Sequence, residues 1–188
     1  SMDNNLFVFQ SNSPNLVAGD TGDNFDVFIR NRQANTLTRV ADRIPSADPD
    51  TDYQTPSISG NGQFVVFSSP QALLGADTGN GRDLYSIDLT DDSLVLVTVD
   101  ENGEQLTGGD PAFSPSTSDD GRFVVFEFRV GGSGIVRLWD RQTGTSRVIS
   151  RNTSDQTVSG YTPVISGDGN FIAFGSQAND IIENFNPT

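Results

Sequence analysis

Four short hydrophobic segments, each beginning with Leu or Phe and ending with Phe, recur along this chain. Apolar residues fill successive positions in each segment, and Asn, Asp, Gly or Ser residues flank it, which is typical of a short β-strand between turns. The spacing of roughly 50–60 residues indicates a repeated unit. The segments are Leu6–Phe9, Phe64–Phe67, Phe123–Phe126 and Phe171–Phe174. We expect their aromatic side chains to be buried, namely Phe64, Phe67, Phe123, Phe126, Phe171 and Phe174.

Further strand-like segments surround each aromatic one. A segment ending in Ser precedes it and leads into an Asn-Gly or Asp-Gly turn, and two segments separated by a hairpin turn follow it. We name the strands of a repeat A to D in chain order, so that the aromatic strand is B. Strand A is expected at 55–59, 114–118 and 162–166, strand C at 26–31, 83–88 and 135–140, and strand D at 37–40, 94–97 and 146–149. Four antiparallel strands per repeat predict an all-β fold, a β-propeller or propeller fragment of about 3.5 repeats.

The order of the strands predicts incomplete blades at both ends of a single domain, 1–188. The expected blades are 6–40 with strands B, C and D, then 54–98 and 113–150, and finally 161–182 with strands A and B. Three arrangements fit this order: a fragment of a larger propeller, copies that complete one another, or ends that share a fourth blade within one chain. Because bare ends would expose Phe7, Val8 and Phe9 beside Ile172 and Phe174, we favour pairing between chains, as a homodimer of about eight blade equivalents.

The repeated pattern Pro-x-Ile-Ser-x-Asn-Gly-x-Phe-Val-x-Phe, as at 56–67, resembles the TolB-like β-propeller repeat, a relative of the WD-type propellers. The stretch 15–21 followed by Asp26-Val27-Phe28 is similar to a subgroup common in bacterial exported and surface proteins. The resemblance implies an extracellular or periplasmic protein with a binding, scaffolding or accessory role. Ser1 before Met2 is interpreted as a tag remnant, so the lack of an export signal here does not argue against secretion.

Composition narrows the chemistry. The chain has no His and no Cys, which excludes Ser-His-Asp and Cys-His nucleophile systems. The formal net charge of -14 disfavours nucleic acids and anionic membranes as partners and favours cations. No apolar run approaches the roughly 20 residues that cross a bilayer, so we expect no membrane insertion. We therefore expect no enzymatic activity, and a protein or carbohydrate partner.

Two loops between strands B and C carry the best candidate ligands. Asp, then Thr-Gly, then a second Asp six positions after the first, occurs in both loops, and such loops supply the hard oxygen atoms that Ca²⁺ prefers. The candidate metal ligands are Asp20, Asp23 and Asp26 in one loop and Asp77, Asn80 and Asp83 in the other. The alternative is structural: the same carboxylates accept hydrogen bonds that hold the turns.

The connections between strands D and A are acidic and support a second function class. A glycoside-type hydrolase or lyase would use two carboxylates about 5–9.5 Å apart on such loops. The alternative is a solvated surface. The acidic residues are Asp42, Asp48, Asp50 and Asp52 in the first connection, and Asp100, Glu101, Glu104 and Asp110 in the second.

Trp139 and Phe128 stand out in the third repeat. They are expected either to form a platform on which a sugar or peptide stacks, or to pack between blades.

Overall fold

The computed structural model describes residues 1–2, 5–20, 23–48, 51–79, 81–179 and 181, with the backbone alone for 111–114. These residues form thirteen β-strands and one short 3₁₀ helix, Ala41–Arg43, in four antiparallel sheets. We call the sheets blades 1 to 4. Blade 1 contains β1 (Leu6–Ser11), β2 (Asp26–Asn31) and β3 (Thr36–Arg39), and blade 2 contains β4 (Gln54–Ile58), β5 (Phe64–Ser69), β6 (Asp83–Asp88) and β7 (Leu94–Leu96). Blade 3 contains β8 (Asp110–Thr117), β9 (Phe123–Val130), β10 (Ser133–Asp140) and β11 (Thr145–Val148), and blade 4 contains β12 (Tyr161–Ile165) and β13 (Ile172–Gly175).

The strand order confirms the predicted all-β propeller architecture. Blades 2 and 3 are complete, whereas among the described residues blade 1 lacks strand A and blade 4 lacks strands C and D. The described strands do not close into a ring, as expected for a propeller fragment. Blade 3 begins at Asp110, a few residues before the predicted start of its repeat at 113.

Hydrophobic cores lie between successive blades because neighbouring residues of a strand face opposite sides of its sheet. Between blades 1 and 2, Val27 and Ile29 pack in one cluster with Phe67 and Tyr85. Between blades 2 and 3, Val66 and Leu84 pack in a second cluster with Trp139. A strand B therefore buries one side against the preceding blade and the other against the following blade.

The position of Trp139 and Phe128 decides between their two interpretations. Both side chains are buried in the cluster between blades 2 and 3. They pack between blades and present no stacking platform to solvent.

The turns between strands A and B are held by a serine side chain. In blade 2, Ser59 Oγ accepts the Phe64 N–H at 2.9 Å and donates to Asn61 Oδ1 at 2.6 Å, and Gly62 takes a positive φ of 75° that favours glycine. The same serine–backbone bond joins Ser118 to Phe123 at 2.9 Å and Ser166 to Phe171 at 3.0 Å. We call these the A–B turns.

Ser1 repeats this contact at the start of the chain. Its Oγ accepts the Leu6 N–H at 3.1 Å, so Ser1 takes the place that Ser59 holds in blade 2. The interpretation of Ser1 as a tag remnant gave no reason to expect this structural role.

The end blades correct part of the burial prediction. Phe67 and Phe126 are fully buried and Phe64 is 9% exposed, but Phe171 is 72% exposed, and Phe123 and Phe174 are only half-buried. The expectation for Phe171 was wrong because no described strand of a following blade covers it. At the other end, Phe7 and Phe9 are exposed as expected, but Val8 points inward and packs against the core between blades 1 and 2.

Candidate functional site

The second B–C loop brings Asp77 and Asp83 together around an amide. Both carboxylates are buried, and Gln105 reaches in from the connection between β7 and β8. Its Nε2 donates to Asp77 Oδ1 at 2.7 Å and to Asp83 Oδ2 at 3.0 Å. Its Oε1 accepts the backbone N–H of Thr78 at 2.9 Å and of Gly79 at 3.1 Å.

Hydroxyl groups satisfy the two remaining carboxylate oxygen atoms. The Tyr85 hydroxyl donates to Asp77 Oδ2, and Thr98 Oγ1 donates to Asp83 Oδ1. All four oxygen atoms of the two carboxylates thus accept a hydrogen bond within the protein, as buried polar groups generally must.

Burial nevertheless disfavours the charged form of Asp83. Desolvation is the largest influence and raises the pKa of Asp83 to about 6, against the opposing hydrogen bond from Thr98, while the nearby Asp77 carboxylate adds to the rise. Burial likewise raises the pKa of the Tyr85 hydroxyl well above its usual range. The group is a closed hydrogen-bond network that ties the B–C loop of blade 2 to the connection leading into blade 3.

This geometry favours the structural interpretation of the second loop. A Ca²⁺ ion between the two carboxylates would take the place of the Gln105 amide, which already bridges them. Asn80, the third expected ligand, lies outside the described residues. Calcium binding at this loop stays a prediction.

The first B–C loop holds the equivalent carboxylates differently. Asp20 and Asp26 are both 3% exposed, whereas the side chain of Asp23 is exposed to solvent. Asp26 Oδ2 lies 3.4 Å from Arg39 Nη1, and Asp20 Oδ2 accepts the Leu16 N–H at 3.3 Å. Asp26 Oδ1 is buried and has no hydrogen-bond partner among the described residues. Burial raises the pKa of Asp26 although Arg39 opposes the rise, and Asp20 contributes to it.

The two B–C loops differ because blades 1 and 2 carry different residues at equivalent positions. Phe28 and Ala41 stand in blade 1 where Tyr85 and Thr98 stand in blade 2, so the two hydroxyl donors are missing. Arg39 lies opposite Phe28 in the sheet, as Leu96 lies opposite Tyr85 in blade 2. It supplies a cation in place of the missing hydroxyl donors. The described part of the chain contains no group of three or more His, Cys, Asp or Glu side chains placed to hold a metal ion.

Acidic residues of the D–A connections also have structural partners. Asp42 pairs with Arg39 at 2.8 Å, and Asp52 Oδ1 accepts the Phe25 N–H at 2.9 Å. Asp100 caps the next connection, where backbone N–H groups of Asn102 and Glu104 lower the pKa of its carboxyl. Glu101 forms an ion pair with Arg137 at 2.9 Å. Asp50 lies outside the described residues.

The sequence patterns missed three residues that connect blades: Gln105, Glu127 and Arg141. Glu127 is buried on β9, where its Oε1 accepts from Arg129 Nε at 2.7 Å and its Oε2 accepts the Thr162 N–H of blade 4 at 3.1 Å. Arg141 lies over the Phe64 ring of the preceding blade at 3.9 Å, a cation–π contact. An acidic residue directly after the apolar run Phe123–Phe126 was the available signal for Glu127, and no spacing signalled Gln105.

An open groove of about 510 Å³ lies beside the A–B turns of blades 3 and 4 and the hairpin between β10 and β11. Phe123 and Arg122 line it, and Asp140 and Asp168 border it. Arg122 lies over the Phe123 ring at 4.6 Å and forms an ion pair with Asp140 at 2.8 Å. The corresponding ring of blade 2, Phe64, is covered by Arg141 of the next blade.

Solved structures show the fold to be that of a TolB-like β-propeller. TolB from Acinetobacter baumannii is similar with a TM-score of 0.54 and 18% identity over 94% of this chain and 36% of that one. A prolyl endopeptidase structure gives 0.53 and 17% identity over 90% and 24%, and Porphyromonas gingivalis dipeptidyl peptidase 4 gives 0.53 and 11% over 90% and 27%. The chain thus spans about a third or less of the length of these proteins. No protein-family model matches it, and comparison with curated protein sequences gives no match.

No helix in the described ranges is long and apolar enough to cross a bilayer.

Proposed function

We propose that this chain is a non-catalytic binding or scaffolding β-propeller module. The proposal rests on the Asp77–Gln105–Asp83 network. Each of the four carboxylate oxygen atoms of this buried acidic pair accepts a hydrogen bond from the protein. A catalytic carboxylate must reach a substrate, whereas these oxygen atoms are buried and already bonded. The absence of His and Cys from the sequence supports the same conclusion.

A carboxylate-dependent hydrolase or lyase is the competing function. The similarity to two peptidases supports it only as far as the shared fold, because unrelated functions use one fold. The raised pKa of Asp83, about 6, would suit a general acid, but that carboxyl is buried beneath the Thr98 and Gln105 contacts. We therefore assign the pKa shift to burial.

The groove beside Phe123 is the surface we propose for a protein or carbohydrate partner. It offers an aromatic ring, a guanidinium and carboxylates within one concave surface. The net charge of -14 argues against nucleic acid as the partner. The resemblance to exported propeller repeats supports a working place in the periplasm or outside the cell.

Calcium is a second candidate ligand, and we place it at Asp20 and Asp26. Within the described ranges Asp26 Oδ1 is buried without a hydrogen-bond partner, which is costly unless a donor or cation satisfies it. Arg39 already contacts the other oxygen of Asp26. A calcium ion would therefore share the carboxylate with a guanidinium, and we expect weak affinity.

A turnover assay tests the non-catalytic proposal. The purified chain is incubated with nitrophenyl glycosides, nitrophenyl esters and peptide nitroanilides, beside Asp83→Asn and Asp140→Asn variants. We expect no release of nitrophenol or nitroaniline above buffer. Turnover that follows the protein through purification and disappears in either variant contradicts the proposal and favours the hydrolase.

A further inference from the structure

The junctions between successive blades repeat one side-chain contact. The first residue of strand B packs on the glycine of the A–B turn in the next blade, as Leu6 does on Gly62, Phe64 on Gly121 and Phe123 on Gly169. A Cβ on Gly121 would lie 2.0 Å from Phe64 Cδ2, and one on Gly169 would lie 2.7 Å from Phe123 Cδ2. The aromatic ring therefore needs a bare backbone beneath it.

A backbone hydrogen bond accompanies the side-chain contact at each junction. The Met2 N–H donates to Gly60 O at 2.7 Å, the Asn61 N–H to Asp119 O at 2.7 Å, and the Asp119 N–H to Gly167 O at 2.8 Å. These bonds link each A–B turn to the next. Blade stacking is thus a defined contact that recurs three times in this molecule.

Among the described residues, blade 4 presents one half of this contact without a partner. Phe171 is 72% exposed, although it holds the place of Phe64, which is 9% exposed. Val164 and Tyr161 are exposed and lie on the same side of the sheet as Phe171. They pair with Ala173 and Gly175, which share a side with Phe171 because strand residues alternate between the two sides. We call Tyr161, Val164 and Phe171 the trailing face.

Blade 1 presents the opposite side of a blade junction. Phe7 and Phe9 are 42% and 37% exposed, although the residues at the same places in blade 2, Val65 and Phe67, are fully buried. Phe9 stacks on Phe28 at 5.5 Å, which holds its ring against the sheet. We call Phe7 and Phe9 the leading face.

We propose that the trailing face of one copy of this chain docks on the leading face of a second copy. Both faces are apolar, and Phe171 and Phe9 hold the places of Phe64 and Phe67, which are buried between blades in the middle of the molecule. The docking is head-to-tail, so two copies close a ring when both junctions form. Four sheets from each copy, two of them incomplete blades, give eight, within the range of four to eight that propellers use. No strand has to leave its sheet.

Charge gives the association a distinct salt dependence. Each copy carries a formal charge of -14, so two copies repel each other at low ionic strength. Salt screens this repulsion and leaves the apolar contact. The dimer therefore strengthens as salt is raised, opposite to an association held by ion pairs.

Sedimentation of the whole chain over a concentration series at low and high salt tests the proposal. We expect a species of twice 20.2 kDa that is favoured by salt, and a 20.2 kDa species for Phe171→Asp. Val130→Asp is the matched control, because Val130 is also exposed but belongs to neither face. Circular dichroism that matches the wild type shows that Phe171→Asp is folded. A wild-type chain that stays monomeric, or a dimer that survives Phe171→Asp, overturns the proposal.

Mixing two variants tests the head-to-tail geometry. Phe171→Asp keeps an intact leading face, and Phe9→Asp keeps an intact trailing face, so a mixture contains the partners for one native junction. We expect each variant alone to be monomeric and the mixture to form a heterodimer at high concentration. A mixture that stays monomeric points to a self-complementary contact and overturns the head-to-tail proposal.

Discussion

At the scale of single residues, the buried carboxylates of this protein differ in the donor groups that contact them. Asp77 and Asp83 meet an amide and two hydroxyls, and Asp26 meets a guanidinium. A repeated Asp-Thr-Gly motif thus serves two different local networks, because the donors come from other strands and connections.

Removal of the bridging amide should destabilise the protein. Gln105→Ala removes the donor between the two buried carboxylates and leaves only the Tyr85 and Thr98 hydroxyls on their other oxygen atoms. Hydrogen bonds to charged groups contribute about 1.5–3 kcal/mol each. We expect a loss of about 2–4 kcal/mol in the free energy of unfolding by urea. Gln33→Ala, at an exposed turn, is the control and should change it by less than about 0.5 kcal/mol. Equal stability of both variants would contradict the network.

The raised pKa of Asp83 predicts a pH dependence with a definite sign. In the folded state the pKa of Asp83 is about 6, whereas its ordinary value is 3.8. The stability contributed by protonated Asp83 is therefore lost as pH rises through this window. Relative to Asp83→Asn, the wild type should lose up to about 3 kcal/mol of its free energy of unfolding between pH 4 and pH 7. Urea unfolding of both proteins across this range measures the difference. A difference that grows in favour of the wild type as pH rises would contradict the assignment.

Calcium at the first B–C loop is tested by melting. Calcium that binds only the folded state raises stability by RT ln(1 + [L]/Kd), so 5 mM CaCl2 should raise the melting temperature above that in chelator. Asp26→Asn should abolish the shift and Asp83→Asn should keep it, because Asp26 is the one described carboxylate with a buried oxygen atom that lacks a hydrogen-bond partner. Identical melting curves with calcium and chelator would leave the loop with hydrogen bonding alone.

At the scale of elements, the four B strands share one sequence pattern and differ in their surroundings. Phe67 lies between two blades and Phe171 lies on an open face. Phe67→Ala should cost about 3–5 kcal/mol because it leaves a cavity in the core. Phe171→Ala should cost less than about 1 kcal/mol when measured at a concentration where the chain is monomeric. Similar costs at the two positions would show that blade 4 is covered.

The sequence predicted the strands well because their signal is local. The aromatic runs and the Asn-Gly or Asp-Gly turns lie within a few residues of one another, and the sheets follow them closely. The exposure of Phe171 could not be predicted, because its own segment matches that of Phe64 and the difference lies in the next blade. The role of Gln105 could not be predicted for a similar reason, since its partners lie 22 and 28 residues away.

At the scale of the whole molecule, the structure is an array with a well-packed middle and two apolar ends. The two buried clusters lie between blades 1 and 2 and between blades 2 and 3. The junction with blade 4 depends on fewer strands and on the Glu127–Thr162 contact. In repeat proteins each unit is stabilised mainly by its neighbours, so the end blades should open first.

Hydrogen exchange, measured by mass spectrometry over a range of protein concentrations, tests this account of a rigid middle between two docking ends most directly. The account predicts strong protection of β5, β6, β9 and β10 at every concentration, and protection of β1 and β13 that rises with concentration as the ends dock. Terminal strands whose exchange is independent of concentration, or central strands that exchange as fast as the ends, would contradict it.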